Sequence, residues 1–161
     1  MKKALPLIVL LVLLVGIGSM TRAADAPKDG GLTDDGLKTM LDNMGFEPKA
    51  LSKGYLIAVK RDDWTFNIQL VLSGDGTKLG FNSNLGAVED PDSITAKQWR
   101  ALLVANSDID PSSFYFDEKQ KKLYIHRALD NRAITPDFLR KQIDSFVGNI
   151  KSTSDLWKFT K

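Results

Sequence analysis

The stretch that decides the fold is "WTFNIQLVLSGDGTKLGFNSNL", residues 64–85. Large apolar residues alternate with polar ones on both sides of a Gly-Asp-Gly turn, and this pattern predicts a β-hairpin with one buried face. The apolar side chains that share this face are Trp64, Phe66, Ile68, Leu70 and Leu72 on the first strand and Leu79, Phe81 and Leu85 on the second. We expect them to pack beneath helices while their polar neighbours face water.

The polar face of this hairpin is rich in amides, and a second alternating hairpin at residues 112–129 would add aromatic groups to it. The residues that would share the face, if both hairpins join one sheet, are Asn67, Gln69, Asn82, Asn84, Tyr115, Tyr124 and His126. Asn is depleted in strands, and binding of a partner would explain its enrichment here. A solvated sheet back also explains it, because antiparallel sheets routinely expose one polar face, and the sequence leaves both interpretations open.

Three helices flank the hairpins, predicted from apolar residues at helical spacing and from caps at Thr33, at Thr95 with Gln98, and at Thr135-Pro136. The apolar stripes expected to be buried are Trp99, Leu102, Leu103 and Val104 on the second helix, and Phe138, Leu139, Ile143, Phe146, Val147 and Ile150 on the third. The resulting order is α-β-β-β-α-β-β-α. We therefore predict an α+β fold, with an antiparallel sheet of about five strands packed against helices.

The N-terminus has the organisation of a secretory signal peptide. Lys2 and Lys3 precede an apolar segment at residues 5–17, and small residues follow up to Ala23. The apolar segment is shorter than the ~17–25 residues typical of a membrane span. We expect residues 1–23 to be a cleaved signal peptide, 24–31 a flexible linker and 32–161 one domain. The protein would then be periplasmic or secreted, with membrane contact only if the segment stays uncleaved.

Charge and cysteine content exclude some classes of partner and some modes of stabilisation. The whole chain has a formal net charge of +2, and loss of the three basic residues in 1–23, which contain no acid, turns this into −1. Without a basic surplus the electrostatic attraction that drives nucleic-acid binding is missing. The chain has no cysteine, so its core alone must stabilise it.

The residue inventory also narrows the possible chemistry. His126 is the only histidine, and it has no second base or metal ligand at a useful spacing, so we interpret it as a solvated strand residue. One histidine and no cysteine do not suit a zinc site or a cysteine nucleophile. Neighbouring acids such as Glu89 and Asp90 fall at predicted turns, although a hidden pair of catalytic carboxylates stays an alternative. We predict no catalytic residue, no metal and no cofactor.

Three segments resemble a known family: "LLVAN" on the second helix, "FYFDEKQKKLYIHRAL" on the second hairpin and "ITPDFLRKQIDSF" on the last helix. With the order of elements, they look like the YbjN-type proteins, which share the type III secretion chaperone-like fold. The resemblance covers roughly residues 32–157. It implies a domain that binds extended segments of other proteins and often pairs into dimers, with no catalytic residues to carry over.

Together these observations predict an exported, non-catalytic binding domain of bacterial type. Its partner would be a protein segment or a second copy of the chain in a homodimer, engaged through the sheet face or a helix groove. The alternative is a small periplasmic enzyme or small-ligand binder with a cavity between sheet and helices. A third possibility is an envelope protein anchored by its N-terminus.

Overall fold

The computed structural model describes residues 31–161, in which three α-helices and six β-strands are present. The helices are α1 (Asp34–Asn43), α2 (Ala96–Asp108) and α3 (Pro136–Ser152). The strands are β1 (Lys49–Ala50), β2 (Tyr55–Arg61), β3 (Trp64–Leu72), β4 (Lys78–Ala87), β5 (Ser112–Asp117) and β6 (Lys122–Asp130). Short 3₁₀ turns lie at Pro91–Ser93 and Ser154–Trp157.

All strands pair antiparallel in one sheet, in the order β1-β2-β3-β4-β6-β5. The predicted α+β class and the single sheet uniting both hairpins are confirmed. The sixth strand is β1, two residues that pair with the start of β2. Such a short edge strand has no alternating pattern to reveal it in the sequence.

Local signals in the sequence explain where the elements begin and turn. Thr33, Thr95 and Thr135 each accept a hydrogen bond from a backbone N–H in the first turn of a helix. Between β3 and β4 the carboxylate of Asp75 accepts bonds from the hydroxyl of Ser73 at 2.6 Å and the N–H of Thr77 at 3.1 Å. These bonds lower the pKa of Asp75 to about 2 and hold the turn closed.

The hydrophobic core lies between the inner sheet face and the helices. Phe81 of β4 meets Phe146 of α3 with ring centroids 5.7 Å apart, and Leu37 and Leu41 bury α1 in the same layer. The predicted stripe of α3 is buried at Leu139, Ile143, Phe146, Val147 and Ile150.

Four residues expected in the core are exposed instead: Trp64, Leu103, Val104 and Phe138. On α2 the buried positions are Leu102, Ala105 and the following Ile109, and helical geometry turns Leu103 and Val104 to the opposite side. Phe138 likewise lies off the buried stripe of α3. Trp64 begins β3 at the sheet margin, where it stacks on Phe66 and meets Trp157 edge-on.

Helices in the described part of the chain are too short and too polar to cross a membrane. The predicted signal peptide and the linker up to residue 30 lie outside the described residues.

Candidate binding surface

The outer sheet face, on the side away from the helices, carries all seven residues proposed from the sequence. One row of them runs straight across the strands. Gln69 of β3 lies opposite Asn82 of β4, Asn82 lies opposite His126 of β6, and His126 lies opposite Ser113 of β5. Four side chains from four strands therefore form a continuous polar line.

A second row runs beside the first and ends in aromatic rings. Asn84 of β4 lies opposite Tyr124 of β6, and Tyr124 lies opposite Tyr115 of the edge strand β5. The tyrosine rings stack with centroids 5.1 Å apart and an interplanar angle of 10°. The His126 ring meets Tyr115 edge-on at 6.3 Å, which connects the two rows. Asn67 projects from β3 on this face and is exposed.

Hydrogen bonds fix part of the surface and leave other groups available. His126 Nδ1 lies 2.9 Å from Asn82 Oδ1, Gln69 Nε2 donates to the carbonyl of Lys53 at 2.9 Å, and Asn84 Oδ1 accepts from Gly86 N at 3.0 Å. Each bond uses one end of an amide. Among residues 31–161 no hydrogen bond engages the NH₂ groups of Asn82 and Asn84 or the exposed amide of Asn67.

The two rows carry no formal charge at neutral pH. Burial lowers the pKa of His126, and it raises the pKa of Tyr115 and of Tyr124, so all three side chains are neutral at pH 7. The Nδ1 atom of His126 lies against Asn82 Oδ1, and a hydrogen bond with the backbone of Phe81 partly offsets the lowering of the His126 pKa. His126 is thus a half-buried, hydrogen-bonded member of the face rather than the freely solvated residue we expected.

The space between sheet and helices, where the alternative reading places a ligand cavity, contains the side chain of Arg127 instead. This residue is only 1% exposed, and no salt bridge to it occurs within residues 31–161. Its guanidinium donates to Ser112 Oγ at 3.0 Å, to Gln142 Oε1 at 2.9 Å and to Ser145 Oγ at 3.2 Å, and it lies over the Phe146 ring.

A groove of about 310 Å³ lies elsewhere, at the β1–β2 end of the molecule. It is lined mainly by residues 50–55, together with Asp34 of α1 and the end of β3. In the described part of the chain no three His, Cys, Asp or Glu side chains come together as a set of metal ligands.

Sequence reasoning missed two features that the structure brings out. The exposed pair Leu103 and Val104 looked like part of a buried stripe, because the run "ALLVA" is apolar on every side of the helix. Arg127 was not singled out from the sequence, although its alternation with the buried Leu123 and Ile125 on β6 indicates an inward position.

Comparison with known proteins places the fold. Neither a protein-family model nor a curated protein matches the chain. Among solved structures, YbjN from E. coli aligns at a TM-score of 0.57 with 15% identity, covering 77% of this chain and 93% of the matched one. The ExsC–ExsE complex aligns at a TM-score of 0.56 with 14% identity, covering 77% of this chain and 92% of the matched one. The chain has the YbjN-like, secretion-chaperone fold.

Two further structures extend the likeness. The HopA1–SchA chaperone–effector complex aligns at a TM-score of 0.53 with 17% identity, covering 72% of this chain and 91% of the matched one. The ExoU–SpcU heterodimer from the type III secretion system of Pseudomonas aeruginosa aligns at 0.52 with 17% identity, covering 76% and 96%. At these identities the likeness shows the fold alone, and it confirms the fold that the sequence resemblance implied.

Proposed function

We propose that this protein is a non-catalytic protein-binding domain that contacts its partner through the outer sheet face. The observation that carries the proposal is the pair of uncharged rows, in which amides with unused donors lie beside stacked tyrosines. Three structures of similar fold are complexes of two different proteins, ExsC–ExsE, HopA1–SchA and ExoU–SpcU. A partner-binding role for this chain is in keeping with them.

The physical basis is a rigid surface that loses little order on binding. The side chains project from four hydrogen-bonded strands, and the Tyr115–Tyr124 stack and the Asn82–His126 contact hold them in place. Pre-organised aromatic and amide groups contribute to affinity because few rotamers must be frozen in the complex. The missing charge favours an uncharged partner segment, since a charged one would be desolvated without a counter-ion.

The test replaces Asn67, Asn82 and Tyr124 together by Ser. We expect the free energy of unfolding to fall by only about 1–2 kcal/mol, because one aromatic stack and one partly exposed hydrogen bond are lost. Capture of the partner should be abolished. Urea denaturation measures the first effect, and co-purification from cell extract followed by mass spectrometry measures the second.

A matched control replaces Lys97 on α2 and Lys141 on α3 by Ala, two exposed residues on the helical side. This variant should keep the same dominant polypeptide as the unsubstituted chain. Equal recovery of that polypeptide by the triple Ser variant would contradict the proposal, and so would a collapse of the fold in that variant.

A second surface favours self-association as an additional role. Leu103 is 70% exposed and Val104 is 60% exposed on α2, side by side on a helix that packs against the edge strand β5. Two adjacent large apolar side chains with this exposure suit a contact between copies of the chain. We propose that they form the centre of a homodimer contact.

We also propose that the protein is exported, as a periplasmic or secreted protein. The support is the order of charged, apolar and small residues within 1–23.

A further inference from the structure

The pairing between β3 and β4 stops early, and another segment of the chain takes its place. The register joins residues 69–72 to residues 79–82 and ends there, although β3 begins at Trp64 and β4 continues to Ala87. Continuing the same register would place Trp64 opposite Ala87. The two strands instead separate beyond the bond from Ser83 Oγ to the carbonyl of Asn67, and the last part of β4 stays paired with β6.

Residues 157–161, here called the closing segment, fill this gap. Ala87 N donates to Lys161 O at 2.8 Å, and Lys161 N donates to Ala87 O at 3.0 Å. Ala87 also lies opposite Lys122 of β6. Since both backbone groups of a strand residue point to the same side, the bonds to Lys161 lie on the edge facing away from β6. That edge is the one β3 left open.

Side chains of the closing segment fit the gap as well. The hydroxyl of Thr160 lies 2.9 Å from the carbonyl of Leu85. Trp157 meets Trp64 edge-on at 6.3 Å, and Phe159 meets Trp99 of α2 at 5.9 Å. The fit requires a glycine at position 86, where φ is +139° and a Cβ would lie 2.7 Å from Thr160.

The contacts of the closing segment leave one buried polar group unsatisfied. The indole Nε1 of Trp157 is buried and has no hydrogen-bond partner within residues 31–161. An unsatisfied buried donor costs about 1–3 kcal/mol. The ion pair of Lys161 with Glu89 is exposed on both sides and contributes little.

We propose that the gap between the start of β3 and the end of β4 is a strand-addition site for an extended segment of a partner protein, which the closing segment occupies in its absence. The partner segment would carry an aromatic residue followed by a residue with a hydroxyl group, as Phe159 and Thr160 do. The next residue would offer its backbone N–H and C=O to Ala87, as Lys161 does. This inference deepens the proposed protein-binding function and rests on it. Asn84 of the outer face directly precedes the gap, so one partner could contact both.

The experiment uses the full chain and a fluorescein-labelled peptide of sequence LWKFTK, which copies residues 156–161. Phe159→Ser with Thr160→Ala removes the ring contact of Phe159 with Trp99 and the hydroxyl bond of Thr160 to Leu85, and we expect this variant to bind the peptide at least tenfold more tightly than the unsubstituted chain. The control variant Lys158→Ala, which loses an exposed ion pair with Asp155, should bind like the unsubstituted chain. Fluorescence anisotropy measures the affinities.

A control peptide keeps every side chain but carries an N-methyl group on its last lysine, which removes the donor to Ala87 O. We expect it to bind at least tenfold more weakly. Equal binding of the two peptides, or no binding of LWKFTK to a folded released variant, would overturn the proposal.

A second measurement avoids any dependence on the folding of variants. Titrating LWKFTK into the unsubstituted chain should shift the backbone amide resonances of Gly86 and Ala87 in NMR spectra. If these two resonances do not shift at a saturating peptide concentration, the proposed site is wrong. The outer-face triple variant should still bind the peptide. If partner capture depends on the outer face but LWKFTK finds no site, this inference fails while the proposed function stands.

Discussion

His126 is a neutral ring within the proposed binding surface. It lies between Asn82, which bonds its Nδ1, and Tyr115, which meets it edge-on, and neither neighbour carries charge at neutral pH. The partial burial that lowers its pKa also keeps the ring uncharged on the proposed contact face. Acidification should therefore act on stability and on binding at the same residue.

The pH dependence follows from the direction of the pKa shift. The pKa of His126 is lower in the folded chain than the ordinary value of 6.5, so the unfolded chain binds more protons in the window just below pH 6.5. The free energy of unfolding should be highest above that pH and decrease from pH 7 to pH 5.5. Urea denaturation across this range measures it. His126→Gln, which keeps an amide partner for Asn82, should remove the decrease, and an unchanged slope in that variant would contradict the assignment.

Arg127 is a buried cation whose hydrogen-bond partners are neutral. Replacement by Lys keeps the charge but loses the planar fork that reaches Ser112, Gln142 and Ser145, and we expect it to cost about 2–4 kcal/mol. Arg127→Met removes the buried charge and keeps much of the volume, so it should be the milder change by about 1 kcal/mol. Urea denaturation compares the two, and a milder effect of Lys would show that the charge itself stabilises the fold.

At the scale of elements, α2 has apolar residues on every side, and only one of these sides is buried. The capping box of Thr95 with Gln98 fixes where the helix begins. That start and the helical period then align Leu102 and Ala105 with the core and leave Leu103 and Val104 outside. Packing against β5 and the 154–157 turn, and not hydrophobicity, decides which apolar residues are buried.

Changing the exposed pair should separate association from folding. Leu103→Gln with Val104→Gln should alter the free energy of unfolding by less than about 0.5 kcal/mol, as is usual for exposed positions. Sedimentation velocity should show concentration-dependent dimers for the unsubstituted chain and monomers for this variant. Lys141→Gln on α3 provides the control and should dimerise normally. Monomers for all three proteins would contradict the proposed homodimer.

At the scale of the whole molecule, the sheet has one face against the helices and one face away from them. Helices and the inner face form the core, and the outer face is where we propose that a partner binds. Asn131, which is almost fully buried, binds the start of the described chain to the rest of the domain. Its side chain bonds both the N–H and the C=O of Leu32 and the C=O of Gly76. The domain is therefore held together from residue 32 onward.

That anchoring leads to a prediction for the exported form. If residues 1–23 are removed at the expected site, the secreted or periplasmic protein should begin at Ala24, which leaves Leu32 and its contacts with Asn131 intact. Intact-mass spectrometry of the protein purified from periplasm or medium measures the N-terminus. Recovery of a membrane-bound chain that still begins at Met1 would favour an uncleaved anchor.

The sequence by itself determined the helix starts, the hairpin turn at Asp75 and the alternation that sorts β3 and β4 into two faces, because these features depend on neighbouring residues and on fixed backbone periods. It also put the seven polar and aromatic residues on the polar side of their own strands, since a period of two is unambiguous within a strand. Whether those residues bind a partner stays a prediction.

Only the tertiary structure decided which strands neighbour each other, where β3 and β4 part, and what fills the opening. The pairing of Ala87 with Lys161 joins residues far apart in the chain, and no local pattern encodes such a contact. The same holds for the exposed side of α2 and for the neutral hydrogen-bond partners of Arg127. These depend on how preformed elements pack, where the free energy of the whole core outweighs the preference of any one residue.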